Sequence, residues 1–214
     1  LDRCHVSAWT NAGAGQLFHS PVQGSGIEER AVSLIEGEDA FHGTPDDLFF
    51  GHARLAPVGA AGPAGITLAR KNARMRITVR GLDRRIPEDR YYLTVEIPND
   101  GYDFVGNPTA GTARVRRTGA FRDNGDFSTD EAFNLIHTDP AVSPAGGVTV
   151  NLYEKALGRS ADRLIASVTD DDGRPISLPM GRTVNLLIDL NEGGGLSVYT
   201  EITPWDEIYQ WDIW

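Results

Sequence analysis

The groups in this 214-residue chain that could do chemistry are five histidines, one cysteine and 30 acidic residues. His5, His19, His42, His52 and His137 could hold a metal or move protons. No two of them sit at a spacing that pairs them on one face of a strand or helix, so scattered surface or half-buried positions account for them. Asp170-Asp171-Asp172-Gly173 and Arg122-Asp123-Asn124-Gly125-Asp126 could offer oxygens to a hard cation. Both lack the spaced ligands and closing Glu of a calcium loop, and Asp, Asn and Gly build turns without any metal. Gly13-Ala14-Gly15 lacks the third glycine and the βαβ setting of a dinucleotide site and reads as a turn. No H-E-x-x-H, G-x-S-x-G, C-x-x-C or P-loop pattern occurs. A pair of carboxylates of the glycosidase kind stays open, because spacing alone cannot place two of them across a cleft. The reading is a protein that is not an enzyme and has no metal or organic cofactor at a dedicated site.

The elements that carry these residues are strands. In Ala73-Arg74-Met75-Arg76-Ile77-Thr78-Val79-Arg80 the apolar residues take every odd position, which puts Met75, Ile77 and Val79 in a core and three arginines in water. The same period recurs in Tyr91–Ile97, Val148–Leu152, Leu164–Val168, Thr183–Leu190 and Leu196–Ile202. Beyond the three named, buried positions are expected at Leu93, Val95, Val150, Leu152, Leu186 and Ile188. Turn chemistry separates the runs at Pro98-Asn99-Asp100-Gly101, Asp172-Gly173-Arg174-Pro175 and Glu192-Gly193-Gly194-Gly195. Helix signals are weak: Ile27 to Ile35 could make two turns, and Ser128-Thr129-Asp130-Glu131 resembles a capping box before a segment that could equally be a strand. Short strands at this spacing predict an all-β antiparallel sandwich.

Charge and composition narrow the partners. A net charge of −10 and a pI near 4.9 disfavour nucleic acid, whose binders cluster Lys and Arg against phosphate. Hydrophobic residues at 40% and charged ones at 23% suit a folded core rather than disorder. With Cys4 as the one cysteine no internal disulfide forms, and a small half-buried strand residue accounts for it. No apolar run approaches the ~20 residues that span a bilayer. The start at Leu1, without an initiating Met, reads as a cut, with any export signal or anchor upstream. The uncharged Ala56–Gly65 stretch, rich in Gly and Pro, reads as a domain boundary. The C-terminal segment holds Trp205, Trp211 and Trp214, three of the four tryptophans. They cap the sandwich core or form an aromatic surface for a partner or a glycan.

With these landmarks in order, the chain resembles the Bacteroidales fimbrial anchor family of the FimB type, related to the FimA-type fimbrillins. The likeness is carried by Cys4-His5-Val6-Ser7-Ala8-Trp9-Thr10-Asn11, Asp47-Leu48-Phe49-Phe50-Gly51, the run Leu68 to Leu82, Tyr92–Ile97, Gly101-Tyr102-Asp103-Phe104 and Ile202-Thr203-Pro204-Trp205. It implies transthyretin-like β-sandwich domains: residues 1–57 as the later part of an N-terminal one, incomplete in this chain, and 64–214 as the C-terminal one. It implies a structural subunit of a cell-surface fimbria, the outer-membrane anchor, held by an upstream lipid and joined to other fimbrial subunits by strand addition. The rival readings are a shaft or tip fimbrillin of the same superfamily, a carbohydrate-binding surface β-sandwich using Trp205, Trp211 or Trp214, and a surface hydrolase with a carboxylate-lined cleft. Packing of Trp9, Leu17, Phe18, Leu34, Leu48 and Phe50 onto the C-terminal part or another chain is expected, or else poor order in that segment.

Overall fold

A computed structural model of the protein describes residues 4–55, 65–138, 146–158, 161–191, 193–209 and 211. Their regular structure is all strand apart from two short 3-10 turns at Glu38–Ala40 and Glu88–Arg90. Two six-stranded sheets enclose the core. The first is ordered β17 (Leu196–Pro204), β16 (Arg182–Leu190), β6 (Asn72–Arg80), β10 (Phe127–Thr129), β9 (Gly119–Phe121), with β11 (Phe133–Ile136) following β10 along the same side of β6. The second is ordered β13 (Arg163–Val168), β12 (Thr149–Glu154), β7 (Tyr91–Asp103), β3 (Arg30–Leu34), β2 (Gln16–Phe18), with β8 (Pro108–Arg117) on the far side of β7. A three-stranded sheet joins β1 (Cys4–Thr10), β4 (Phe49–Leu55) and β5 (Ala69–Arg70), and β14 (Asp170–Asp171) with β15 (Arg174–Pro175) makes a small hairpin. Every pairing of these strands is antiparallel but one: β16 runs parallel to β6, from Thr183 beside Arg74 to Asp189 beside Arg80.

The period-2 runs produce this architecture directly. Met75, Ile77, Val79, Leu93, Val95, Val150, Leu152, Leu186 and Ile188 are all fully buried. Each large aliphatic side chain withdrawn from water in this way contributes about 1.5–3 kcal/mol before entropy is counted. The turn expected at Asp172-Gly173 forms, with positive φ at both residues (52° and 77°), the backbone twist that a tight hairpin between right-twisted strands requires.

Three expectations fail for physical reasons. Pro98-Asn99-Asp100-Gly101 is not a turn but the middle of the 13-residue β7. Its irregular chemistry is absorbed as register shifts between Ile97 and Asn99 and between Asn99 and Tyr102. Ile27 to Ile35 does not form helix, because Ala31, Val32 and Leu34 are buried in β3, which pairs with β7. The arginines of β6 do not stand in open water either. Arg74, Arg76 and Arg80 are half-buried, since the chain beyond β17 and the β9–β10 turn fold over that face. The segment resembling a capping box takes the strand alternative, as β10 and β11.

Two pairings tie the first fifty-odd residues to the rest. β7 pairs with β12 through Tyr91–Glu96 and with β3 through Gly101–Asp103. β5 pairs with β4 at Phe49 and Phe50, and the chain then runs on into β6. Accordingly Ala31, Val32, Leu34 and Leu48 belong to the same hydrophobic cluster as β6, β7, β12 and β16. Phe50 is buried and Trp9 partly so, with ring centroids 4.5 Å apart, while Leu17 and Phe18 are exposed. The residues around the expected boundary, 56–64, lie outside the described part.

Between these strands sits a buried polar cluster. The Tyr102 hydroxyl reaches the Lys71 carbonyl at 3.1 Å, Asn72 Oδ1 at 3.2 Å and His137 Nδ1 at 3.3 Å. The Asn72 amide donates to the Asp46 carbonyl, and the Asn99 amide donates to the His137 carbonyl at 3.2 Å. Gly101 lets β3 approach, since a Cβ there would overlap the Val32 carbonyl oxygen. Tyr102→Phe, which leaves Asn72 and the Lys71 carbonyl without this partner, is expected to destabilise by about 1–3 kcal/mol. Gly101→Val is expected to cost more by pushing β3 off β7. Urea unfolding of both variants checks the pair, and wild-type midpoints would remove this cluster from the account of the fold.

Candidate functional site

Two surfaces stand out among the described residues. The first is the side of the sandwich closed by β17 and β13, each the last strand of its sheet. Register places Ile202, Thr200 and Val198 opposite Val184, Leu186 and Ile188 of β16, and all three of those β16 residues are buried. Cross-strand partners share a face, so β17 directs an apolar row toward the interior. Yet Ile202 is 47% exposed and Leu196 45%, while Ala166 and Val168, the inward residues of β13, are buried. The row is thus uncovered along β17, where an open edge also leaves backbone groups of that strand without a ladder partner.

One of those groups is occupied. The amide of Thr200 donates to Asp171 Oδ2 at 3.0 Å and its hydroxyl to the same oxygen at 2.6 Å. Asp171 comes from β14, so the hairpin carrying the Asp170-Asp171-Asp172-Gly173 run reaches across to the edge. Asp170 is spent within the turn on the Gly173 amide, 2.9 Å away. These carboxylates close a turn and cap an edge.

The second surface is a cleft of about 740 Å³ on the outer face of β6 and β10, walled by the β9–β10 turn and the chain after β17. That chain turns back at Glu207, whose amide donates to the Pro204 carbonyl at 3.0 Å. It crosses β16, where the Tyr209 amide donates to Asn185 Oδ1 at 3.2 Å. Tyr209 and Trp211 meet edge-to-face with centroids 4.9 Å apart. The opposite wall is the Arg122–Asp126 turn, closed by the Arg122 amide on the Asp126 carbonyl at 2.8 Å. Asp126 is taken by Arg80 through contacts at 3.2 and 3.3 Å, so this run too serves structure.

The three C-terminal tryptophans therefore part company. Trp205 is buried, with the Arg70 guanidinium 4.2 Å and that of Arg74 5.2 Å from its ring. Its carbonyl accepts from Arg74 at 3.0 Å and from the Thr183 hydroxyl at 2.8 Å. Arg70 also grips Asp47 through two bonds, at 2.7 and 3.0 Å, so Trp205 latches the last strand to the chain ahead of β4. Trp211 lines the cleft, and Trp214 lies outside the described residues. The arginines of the cleft, Arg76 and Arg122, escaped the sequence reading because an arginine on the polar phase of a strand looks like any solvent-facing one. Among the described residues no group of three or more His, Cys, Asp or Glu side chains is placed to hold a metal.

Residues 2–211 match the family model described as fimbrillin-A associated anchor proteins Mfa1 and Mfa2. The chain is 26% identical over 190 residues to the major fimbrium anchoring subunit FimB of Porphyromonas gingivalis, covering 82% of this chain and 57% of that protein. It thus spans a little over half the length of that curated relative. Its fold is that of the solved fimbrial anchor protein Mfa2 of Porphyromonas gingivalis, at a TM-score of 0.63 and 12% identity, covering 95% of this chain and 75% of the other. A DUF1812 protein of Bacteroides thetaiotaomicron fits equally, at a TM-score of 0.64 and 12% identity, covering 94% and 76%.

The edge of β17 makes a prediction of its own. Asp171→Ala frees the Thr200 amide and removes a charge from an exposed strand edge, the two features that keep such edges from pairing. The variant is expected to self-associate in static light scattering where the parent does not, at a stability cost of about 1–3 kcal/mol for the lost charge-assisted bonds. A monomeric variant at the same concentrations would mean that Asp171 guards nothing.

Proposed function

The chain belongs to the family of fimbrillin-A associated anchor proteins, and from that premise we propose that it is a non-enzymatic anchor subunit of a bacterial cell-surface fimbria. Family membership carries the statement that this is a fimbrial structural protein of the cell surface. The finer role is our reading: the subunit sits at the outer membrane through a lipid on upstream chain and receives the shaft by β-strand addition. In the same reading, residues 1–57 correspond to the later part of an N-terminal transthyretin-like sandwich and residues 64–214 to the C-terminal one, with β2 and β3 of the first part joined to the sheet and core of the second.

The observation that supports strand addition is the uncovered row along β17. A donor strand laid beside β17 would pair with its free backbone groups while alternate apolar side chains covered Leu196, Val198 and Ile202. Main-chain bonds would give affinity independent of sequence. The period-2 fit of the side chains would set register, since a slip by one residue turns every apolar group outward. Docking there requires Asp171 to let go of Thr200, so the cap would act as a gate that opens only for a strand able to replace both of its bonds.

The test is co-assembly of the purified chain with a shaft fimbrillin from the same organism, followed by size-exclusion chromatography. A stoichiometric complex is expected from the parent. Val198→Lys and Ile202→Lys together, placing two ammonium groups in the row the donor must cover, are expected to weaken it at least about a hundredfold. A complex indifferent to the double substitution would move the shaft contact elsewhere, and absence of any complex would overturn the anchor role.

A further inference from the structure

Arg76 has no partner that the fold explains. It projects from the outer face of β6 into the cleft, and its Nε is buried without a hydrogen bond. Its neighbours on the strand are accounted for: Arg74 holds the Trp205 carbonyl and Arg80 holds Asp126. The charged groups facing it are Arg122 from the β9–β10 turn, Asp123 and Asp126. Asp126 belongs to Arg80, Arg122 lies 3.7 Å from Asp130 and donates to the Thr129 carbonyl at 3.0 Å, and Asp123, on the turn, makes no ion pair with Arg76. Burial, reinforced by the like charge of Arg122, lowers the pKa of Arg76 from its usual value. A half-buried cation facing a like charge is a destabilising arrangement that an incoming anion would relieve.

We propose that this cleft binds an acidic sugar residue, a uronic or sialic acid within an extracellular polysaccharide, with the carboxylate on Arg76 and the sugar ring against Trp211 and Tyr209. The chemistry of the walls divides accordingly. The two rings on one side offer apolar faces to the C–H face of a pyranose. Thr78 on the floor, which shares a 3.3 Å bond with Ser128, and Asn124 on the far wall, which donates one amide hydrogen to Asp126 at 3.1 Å, each keep further hydrogen-bonding capacity for sugar hydroxyls. The floor also argues against an extended acidic peptide. It is the face of a sheet, and the backbone groups of β6 and β10 already pair with β16, β9 and each other. A peptide main chain would therefore find no ladder to join, whereas a sugar needs only side chains and rings. The chain carries −10 overall, so an anion is attracted here by local charge and not by the molecule as a whole.

The experiment is calorimetry, with tryptophan fluorescence in parallel, on the full chain with three probes: a galacturonic acid trisaccharide, a sialyl trisaccharide and a neutral galactose trisaccharide. At least one acidic probe is expected to bind, and to bind at least about tenfold more tightly than the neutral one, weakening as salt is raised. Arg76→Gln is expected to lose at least about tenfold of that affinity while its melting temperature stays level or rises, because a repulsion is removed. Trp211→Ala, on the chain beyond the last strand, is expected to lose affinity and the fluorescence response together. Binding of neither acidic probe, equal binding of the neutral one, or an Arg76→Gln variant that melts normally and binds like the parent overturns the proposal. So does tighter binding of a pentaglutamate peptide, which would assign the cleft to an acidic protein segment. Trp211 also meets Tyr199 of β17, with ring centroids 6.4 Å apart, but Arg76 lies two strands in from that edge, so the Arg76→Gln outcomes stand apart from shaft binding.

Discussion

A buried phenol cannot be left without a partner, and the hydroxyl of Tyr102 is the point on which much of this fold turns. It lies where β7, the start of β6 and the end of β11 converge, with the Lys71 carbonyl, Asn72 Oδ1 and His137 Nδ1 all within reach of its single O–H and the His137 amide donating to its oxygen at 3.4 Å. Burial pushes its pKa upward, so the group stays protonated and remains a donor throughout the range in which the protein is folded. Because an unmet polar group in a core costs more than a made bond returns, the cluster acts mainly by excluding other arrangements. A shift of β7 by one residue would bury the wrong side chains and strand this hydroxyl at the same time.

The sandwich was legible because its core strands obey one simple rule. Where one face of a strand meets the core, apolar residues recur at every second position, as in β6, β7 and β12; β16 keeps that phase at Val184, Leu186 and Ile188 although both of its faces are buried. Legibility failed where tertiary contact overrides local preference. Asn99 and Gly101 read as a turn, yet one donates to the His137 carbonyl and the other makes room for β3. Both causes lie far away in sequence. The same holds for Trp205, whose role depends on Arg70 and Arg74 rather than on the aromatic residues near it in the chain.

The site was partly legible. The C-terminal tryptophans stand out in the sequence as a group, but only packing separates Trp205 beneath its arginines from Trp211 beside the cleft. The Asp and Asn runs looked like weak cation sites and proved to be turns whose carboxylates have nearby uses, on Gly173, Thr200 and Arg80. The lone arginine among paired ones could not have been found from sequence, since being unpaired is a property of three dimensions. What separates Arg76 from Arg80 is that the nearby carboxylate of Asp126 pairs with Arg80 and, among the described residues, none reaches Arg76.

The parallel pairing of β16 with β6 sets an order of events. β6 ends at Arg80 and its neighbour begins at Arg182, so roughly a hundred residues must be available before the first sheet can close around its middle strand. Contacts this distant in sequence make for slow folding. For a chain that appears from its N-terminus, one flank of β6 stays uncovered until Arg182–Leu190 has followed. The partly made protein is held open by its own topology and closes around β6 only when the hairpin of β16 and β17 arrives.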